Sequence, residues 1–376
     1  MRKIAVITGT RADYGIYKPI LTAISQHQEL SLQLIVTGMH LHTRFGRTIE
    51  QIRQDGFAIA AEVPILSETD GPDEMAKAIG RAILGLTEAI GQLEPDLGLV
   101  LGDRGEMLAA AIVFSHLGIP VVHLHGGEVS GTIDESVRHA ITKLAHIHFP
   151  ATESSRERLI KMGEKPENIY VVGAAGLDYI INKQYTAREI LVQKYRIDEK
   201  RPLLLVLQHP VNWEYTEAGW QMEQTMRALE RLQLPTILIH PNSDAGHLRM
   251  LEIIRQYQNR AWLQTFPSIP SADFLGLMQI AAVLIGNSSS GIIEAPSCGL
   301  PVINIGSRQA GRERATNVID VDYNEEMIYA AIIKALKDGR RTYDNPYGDG
   351  KTGPRVADLL ARIEINRDLL NKQIAY

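Results

Sequence analysis

One cysteine, Cys298, stands alone in 376 residues, which excludes an intrachain disulfide and a Cys-x-x-Cys metal site. Apolar runs stay far below the roughly 18 residues that a membrane-spanning helix requires. A basic surplus is missing too: 39 Lys and Arg face 44 Asp and Glu, a net charge of −5 that gives no electrostatic footprint for nucleic acid. Neither nucleic acid nor membrane is therefore expected as a partner. The opening MRKIAVITGTRAD interrupts its apolar run with Gly9, Arg11 and Asp13, so it reads as neither a secretory leader nor a span, and a cytoplasmic protein is expected. Low-complexity tracts and short-period repeats are absent.

What remains is ordinary globular composition, 45% hydrophobic and 22% charged, in a chain long enough for two cores. Short apolar runs at 4–7, 32–36, 97–101, 121–124, 146–149 and 170–172 alternate with helix-length stretches such as 17–27 and 49–55. After about residue 185 the pattern restarts, with runs at 203–207, 236–239, 261–265, 283–285, 302–305 and 318–321. Continuous apolar runs fit strands buried on both faces of a parallel sheet. The expected fold class is α/β, with two doubly wound Rossmann-like domains at 1–180 and 181–355 facing a cleft. A Gly/Pro-rich turn then leads to a last helix, 356–376, that could cross back onto the first domain.

In open α/β sheets ligands sit beyond the carboxyl ends of the strands, so the residues that follow each run matter most. The run at 4–7 leads to TGTRADYG, and that at 97–101 leads to GDRGE with Asp103, Arg104 and Glu106. The run at 121–124 opens HGGEVSGTIDESVRH, carrying His125, Glu128, Asp134 and His139. In the second half the strand ends supply His209 in QHPV, Asn242 in PNSDAG, Ser288 to Ser290 in GNSSSG, and Arg308 and Arg312 in GSRQAGRE. Acids and histidines gather in the first half, hydroxyls and arginines in the second. That division suits proton chemistry on one side and anion binding on the other. A serine run at a helix start could simply cap the helix, but it also suits a backbone that approaches a phosphate.

The segments TGTRADYG, GDRGEMLAAA, GGEVSGTIDESVRHAITKLAH, QHPV, PNSDAG and GNSSSGIIEAPSCGLPVINIGSRQAGRE together resemble the hydrolysing UDP-N-acetylglucosamine 2-epimerases of sialic acid biosynthesis. The resemblance runs in order from residue 3 to the YGDG turn at 347–350. It implies a two-domain fold of the glycosyltransferase-B type and conversion of UDP-N-acetylglucosamine and water into UDP and N-acetylmannosamine, with no metal or other cofactor. It places Ser288 and Ser289 at the pyrophosphate and Glu294, Asn242 and Arg308 around the nucleotide. Arg11, Arg104 and His209 add positive charge or donors, and Asp103 and Asp134 serve as acid–base groups, with His209 also near the chemistry. A UDP-sugar is the implied partner, and a homodimer or homotetramer the expected assembly.

One position departs from the pattern. Where most members write HIEGGE, with a glutamate thought to be catalytic, this chain has HLHGGE and His125. A neutral histidine can move a proton but cannot offer a carboxylate's charge to a cationic intermediate. Either His125 takes the proton role or Glu128 supplies the charge, and the change could also mark a different substrate such as a 2,4-diacetamido-6-deoxy nucleotide sugar. Three rivals stand beside this reading: a metal held by His123 and His125, a sugar transferase of the same fold, and a non-catalytic nucleotide-sugar sensor. The DVD at 320–322 resembles a transferase metal motif, yet a strand end followed by a helix cap explains it.

Overall fold

A computed structural model describes residues 1–43, 46–67, 72–129, 133–242, 244 and 246–375, with the backbone alone at 72, 73, 133, 134 and 212. The chain divides into two compact units. The first comprises Met1–Val129, Ile133–Asp178 and Tyr347–Tyr376, and the second runs through Tyr179–Pro346.

Among the described residues the first unit is built on one sheet of six parallel strands: β1 (Arg2–Thr8), β2 (Leu30–Thr37), β3 (Ile59–Val63), β4 (Leu97–Leu101), β5 (Val121–Leu124) and β6 (Ile147–Phe149). Their spatial order is β3-β2-β1-β4-β5-β6. The second unit repeats the plan with β7 (Leu204–Leu207), β8 (Thr236–Ile239), β9 (Leu263–Phe266), β10 (Val283–Gly286), β11 (Val302–Ile305) and β12 (Val318–Val321). These lie in the order β12-β11-β10-β7-β8-β9, the same winding seen from the other edge. In each sheet the winding direction reverses beside the first strand, between β1 and β4 and between β7 and β10. Crevices at such reversals are where doubly wound sheets receive ligands.

The central strands form because their apolar runs are covered on both faces. All five residues of β4 and all four of β10 are buried, as continuous runs in parallel sheets require. Helix Arg11–Gln26 covers one face of the first sheet through Tyr17, Ile20, Leu21 and Ile24. Against it packs Thr352–Arg362, whose Val356, Ala357 and Leu360 join the same core. Asp178 fixes the entry of that returning helix by accepting from the backbone N–H of Thr352 at 2.9 Å and of Gly353 at 2.7 Å, two donors no helical turn could satisfy.

Four elements differ from the sequence expectation, the first being the last helix, which runs not over 356–376 but over Thr352–Arg362, with a separate short helix at Arg367–Leu370. β3 escapes a search for continuous apolar runs because it lies at a sheet edge and buries only alternate residues partly. The run at 170–172 is not a strand: Ile169 makes a single bridge to His148, and Tyr170 and Val172 donate to His148 and Pro150 as the chain passes the edge of the sheet. Helix Arg11–Gln26 begins six residues before the expected start at 17. Thr10 and Asp13 close a capping box there, so Arg11 and Asp13 lie in a helical turn rather than in a loop.

Candidate active site

The residues expected at strand ends follow β1, β4 and β5 in the first sheet and β7, β8, β10 and β11 in the second. In the first unit β1 delivers Arg11, exposed at the start of its helix, and β4 delivers Asp103, Arg104 and Glu106. Asp13, 5% exposed, accepts from the backbone N–H groups of Gly9 and Thr10 and from the Thr8 hydroxyl. Burial, with Glu106 nearby, pushes its carboxyl up to about 6. Asp13 is thus a cap that shapes the loop. Arg104 Nε donates to Glu106 Oε1 at 2.7 Å, so its guanidinium is already paired within its own loop.

β5 delivers the position that breaks the family pattern. His125 takes a left-handed backbone conformation, φ +58°, which is rare outside glycine and clusters at functional sites. Its N–H donates to Phe149 O at 3.0 Å, continuing the sheet, and its ring Nδ1 lies 2.8 Å from Glu128 Oε1. The two side chains lie within ion-pair distance of each other. Both residues are under 10% exposed. His125 and Glu128, alternatives in the sequence, form one pair.

Two arginines hold that loop, and sequence reasoning singled out neither. Arg138, 3% exposed on helix Ile133–Leu144, donates from Nη1 to His125 O at 3.0 Å and from Nη2 to the Asp103 carboxylate. The same Nη1 lies 3.5 Å from Glu128 Oε2. Arg158 of helix Glu153–Lys161 donates to Gly127 O at 2.5 Å. Gly127 is required there: φ is +75°, and a Cβ would stand 2.4 Å from Ser155 O. A signal for Arg138 did exist. It and Thr142 lie four apart beside the apolar stripe of Val137 and Ile141, where a solvated arginine is out of place.

His123, offered as a metal ligand, is fully buried, and both its nitrogens are engaged. Nε2 donates to Gly102 O at 2.8 Å and Nδ1 accepts from Thr142 Oγ1 at 3.2 Å, while burial pushes the imidazole down to about 3. Among the described residues no three His, Cys, Asp or Glu converge as a metal site. Asp134 lies in the first turn of helix Ile133–Leu144, and its side chain is outside the described residues.

In the second unit one amide organises the strand ends. Asn287, fully buried, accepts from His209 N–H at 2.7 Å and donates to His209 O at 2.8 Å. Its own carbonyl accepts from Arg308 Nη1 at 3.2 Å and Gln309 Nε2 at 2.8 Å. Gly286 allows β10 to come so close to β7, since a Cβ there would stand 2.1 Å from Leu207 O. His209 Nδ1 accepts from Asn242 N–H at 3.0 Å, which places the ring proton on Nε2. Burial and the Arg308 cation push this imidazole down to about 3. His209 is therefore a neutral donor near pH 7, which corrects the expectation that it could add positive charge.

The serine run is also shorter in its effect than expected. The helix after it is one turn, Ser290–Ile293, before a tighter turn at Ala295–Cys298 that contains Pro296. A single turn carries little macrodipole. Ser288 Oγ accepts from Ser290 N–H at 3.3 Å, the capping role, while Ser289 makes no cap bond. Ser288 and Ser289 are half-buried beside Arg308, and Glu294 ends the turn.

The sequence profile described as UDP-N-acetylglucosamine 2-epimerase matches residues 22–361. The chain belongs to this family. A relative from Legionella pneumophila, "UDP-N,N'-diacetylbacillosamine 2-epimerase (hydrolyzing)", is 45% identical over the full length of both chains. A "UDP-N-acetylglucosamine 2-epimerase" from Neisseria meningitidis serogroup B is 36% identical, covering 94% of this chain and 92% of the relative. The crystal structure of the Neisseria meningitidis UDP-GlcNAc 2-epimerase bound to UDP-GlcNAc superposes with a TM-score of 0.83, covering 96% of this chain and all of that one. At 17% identity in that superposition the likeness speaks for the fold, which is the glycosyltransferase-B type expected of the family. Among the described residues no helix is long and apolar enough to cross a membrane.

Proposed function

We propose that the protein is a hydrolysing 2-epimerase that converts a UDP-linked 2-acetamido sugar and water into UDP and the free manno-configured sugar, and that its preferred substrate is a 2,4-diacetamido-6-deoxy sugar of the diacetylbacillosamine class. The observation that carries the chemistry is the His125–Glu128 pair beside Asp103. The substrate class is supported by the greater identity to the Legionella relative, 45% against 36% for the Neisseria one.

Chemistry at C2 explains why such a pair is needed. The C2 proton is poorly acidic until the C1–O bond has begun to break and C1 has gained cationic character. The bonding electrons leave with the β-phosphate of UDP, a base takes the C2 proton, and a 2-acetamidoglucal forms. Water then adds its oxygen to C1 while C2 receives a proton on the opposite face, which inverts that centre. In this reading His125 is the group that moves the proton at C2, and the Glu128 carboxylate beside it stands as its neighbour in the loop. The negative charge that remains in this loop is that of Glu128, the last residue of HLHGGE. Asp103 and Asp134 supply the remaining acid–base work.

UDP departure needs fixed donors that strengthen as charge develops on the leaving phosphate. This reading assigns that work to the second unit's Ser288, Ser289, Arg308 and the Nε2–H of His209, with Asn242 and Glu294 about the nucleoside and Arg11 and Arg104 as further cations. Incubating the purified protein in deuterium oxide with EDTA, separately with UDP-N,N'-diacetylbacillosamine and UDP-N-acetylglucosamine, tests the proposal. NMR should show manno-configured product carrying deuterium at C2, with kcat/KM at least tenfold higher for the diacetamido substrate. Release of unlabelled or gluco-configured sugar would refute the elimination, and a preference for UDP-N-acetylglucosamine would refute the substrate class.

A further inference from the structure

We infer that Arg138 is a positioning residue for the reaction, a group that holds Asp103, His125 and Glu128 in register with one another. This rests on the function proposed above. Those three residues leave two different strands, β4 and β5. Arg138 reaches both loops. One guanidinium nitrogen meets the Asp103 carboxylate, and the other takes the His125 carbonyl at 3.0 Å and lies 3.5 Å from Glu128 Oε2.

The planar fork is what makes this possible. A guanidinium presents donors in fixed directions, so occupying one nitrogen dictates where the acceptors of the other must lie. The carbonyl it holds belongs to the residue whose backbone is left-handed, and such a conformation persists only where the surroundings impose it. From the far side of the loop Arg158 fixes Gly127 O at 2.5 Å, so the turn between His125 and Glu128 is held at both ends. Arg138 also sits between two carboxylates, those of Asp103 and Glu128. At 3% exposure it offers no surface to a substrate, which separates positioning from direct contact.

The arrangement has a consequence in kinetics. Loss of Arg138 should misplace proton transfer without touching the phosphate donors of the second unit, so kcat should fall while UDP affinity holds. For Arg138→Gln the expected result is a kcat lowered by about two orders of magnitude or more, with the Kd for UDP within threefold of wild type by calorimetry. Arg138→Lys, able to meet one acceptor but not all three, should recover roughly tenfold of that loss. If the Gln variant does not fold, the Lys variant decides: a kcat at least tenfold below wild type with unchanged UDP affinity supports positioning. A folded variant of either kind with near-normal kcat overturns it, as does a parallel loss of UDP affinity, which would make Arg138 a general brace. Wild type assayed alongside keeps the two claims apart, since an inactive wild type refutes the function and not the role of Arg138.

Discussion

The two units share one winding order yet prepare their strand ends by opposite electrostatic means. In the first, buried ions hold the loop: Arg138 meets Asp103 and Glu128, and Glu128 meets His125. In the second, neutral amides do the same task, with Asn287 bound four ways to His209, Arg308 and Gln309. The proposed function gives this contrast a reason. Groups that exchange protons need neighbours whose charge favours one protonation state, and an ion network supplies them. In the second unit the groups that fix the strand ends are the amides of Asn287 and Gln309, which carry no charge.

The largest expected break in this contrast is at Asp103. Asp103→Asn keeps the shape but removes the charge facing Arg138, and kcat should fall by about two orders of magnitude or more in a UDP-release assay. Close behind comes His125. His125→Ala should lose about as much, whereas Glu128→Gln, which leaves a weaker partner on Nδ1, should lose roughly tenfold, and His125→Glu should retain part of the activity. Full turnover in His125→Ala would pass the proton work to Asp103 and Asp134. On the other side of the comparison, Asn287→Ala keeps its backbone carbonyl but removes the side-chain bonds to the His209 N–H and carbonyl, and should cost about 2 kcal/mol of stability in urea melts, besides weakening UDP binding.

Acid sharpens the contrast by another route. Burial lowers His40 and His146 to about 4 and His123 and His209 to about 3, below the 6.5 of an unfolded histidine. Between those values the unfolded chain binds more protons, so this stability is intact above pH 6.5 and is lost as pH falls toward 4. For the fully buried His40 and His123 the loss at pH 5 should be on the order of 1–2 kcal/mol each. Asp13, raised to about 6, works in the opposite sense, since its native form holds a proton that the unfolded one releases above 3.8. One aspartate does not offset four histidines, and Tm should drop between pH 7 and pH 5. The smallest effect is expected at Ser289, which makes no cap bond: Ser289→Ala should leave Tm unchanged and weaken UDP binding by about 1 kcal/mol.

Most of the fold was legible because central parallel strands are apolar on both faces, and a run such as 97–101 admits few other readings. β3 was not, since an edge strand half-buried on alternate residues has too weak a pattern. For the site, strand-end position found Asp103, His125 and His209, but chemistry alone could not pair His125 with Glu128 or settle the charge on His209. Those depend on which nitrogen meets which neighbour, and Asn242 N–H and Glu128 Oε1 are distant in chain or hidden by a turn. Arg138 stayed out of view because its one signal, a place beside the apolar stripe of Val137 and Ile141, is outweighed by how ordinarily an arginine in an amphipathic helix is solvated.

The division of labour itself is tested most directly by calorimetric titration of UDP into Asp103→Asn and Arg308→Ala alongside wild type. The account predicts a Kd for Asp103→Asn within about twofold of wild type and a loss of tenfold or more for Arg308→Ala, as removing a cation from a phosphate does. Abolished binding in Asp103→Asn with normal binding in Arg308→Ala would contradict it.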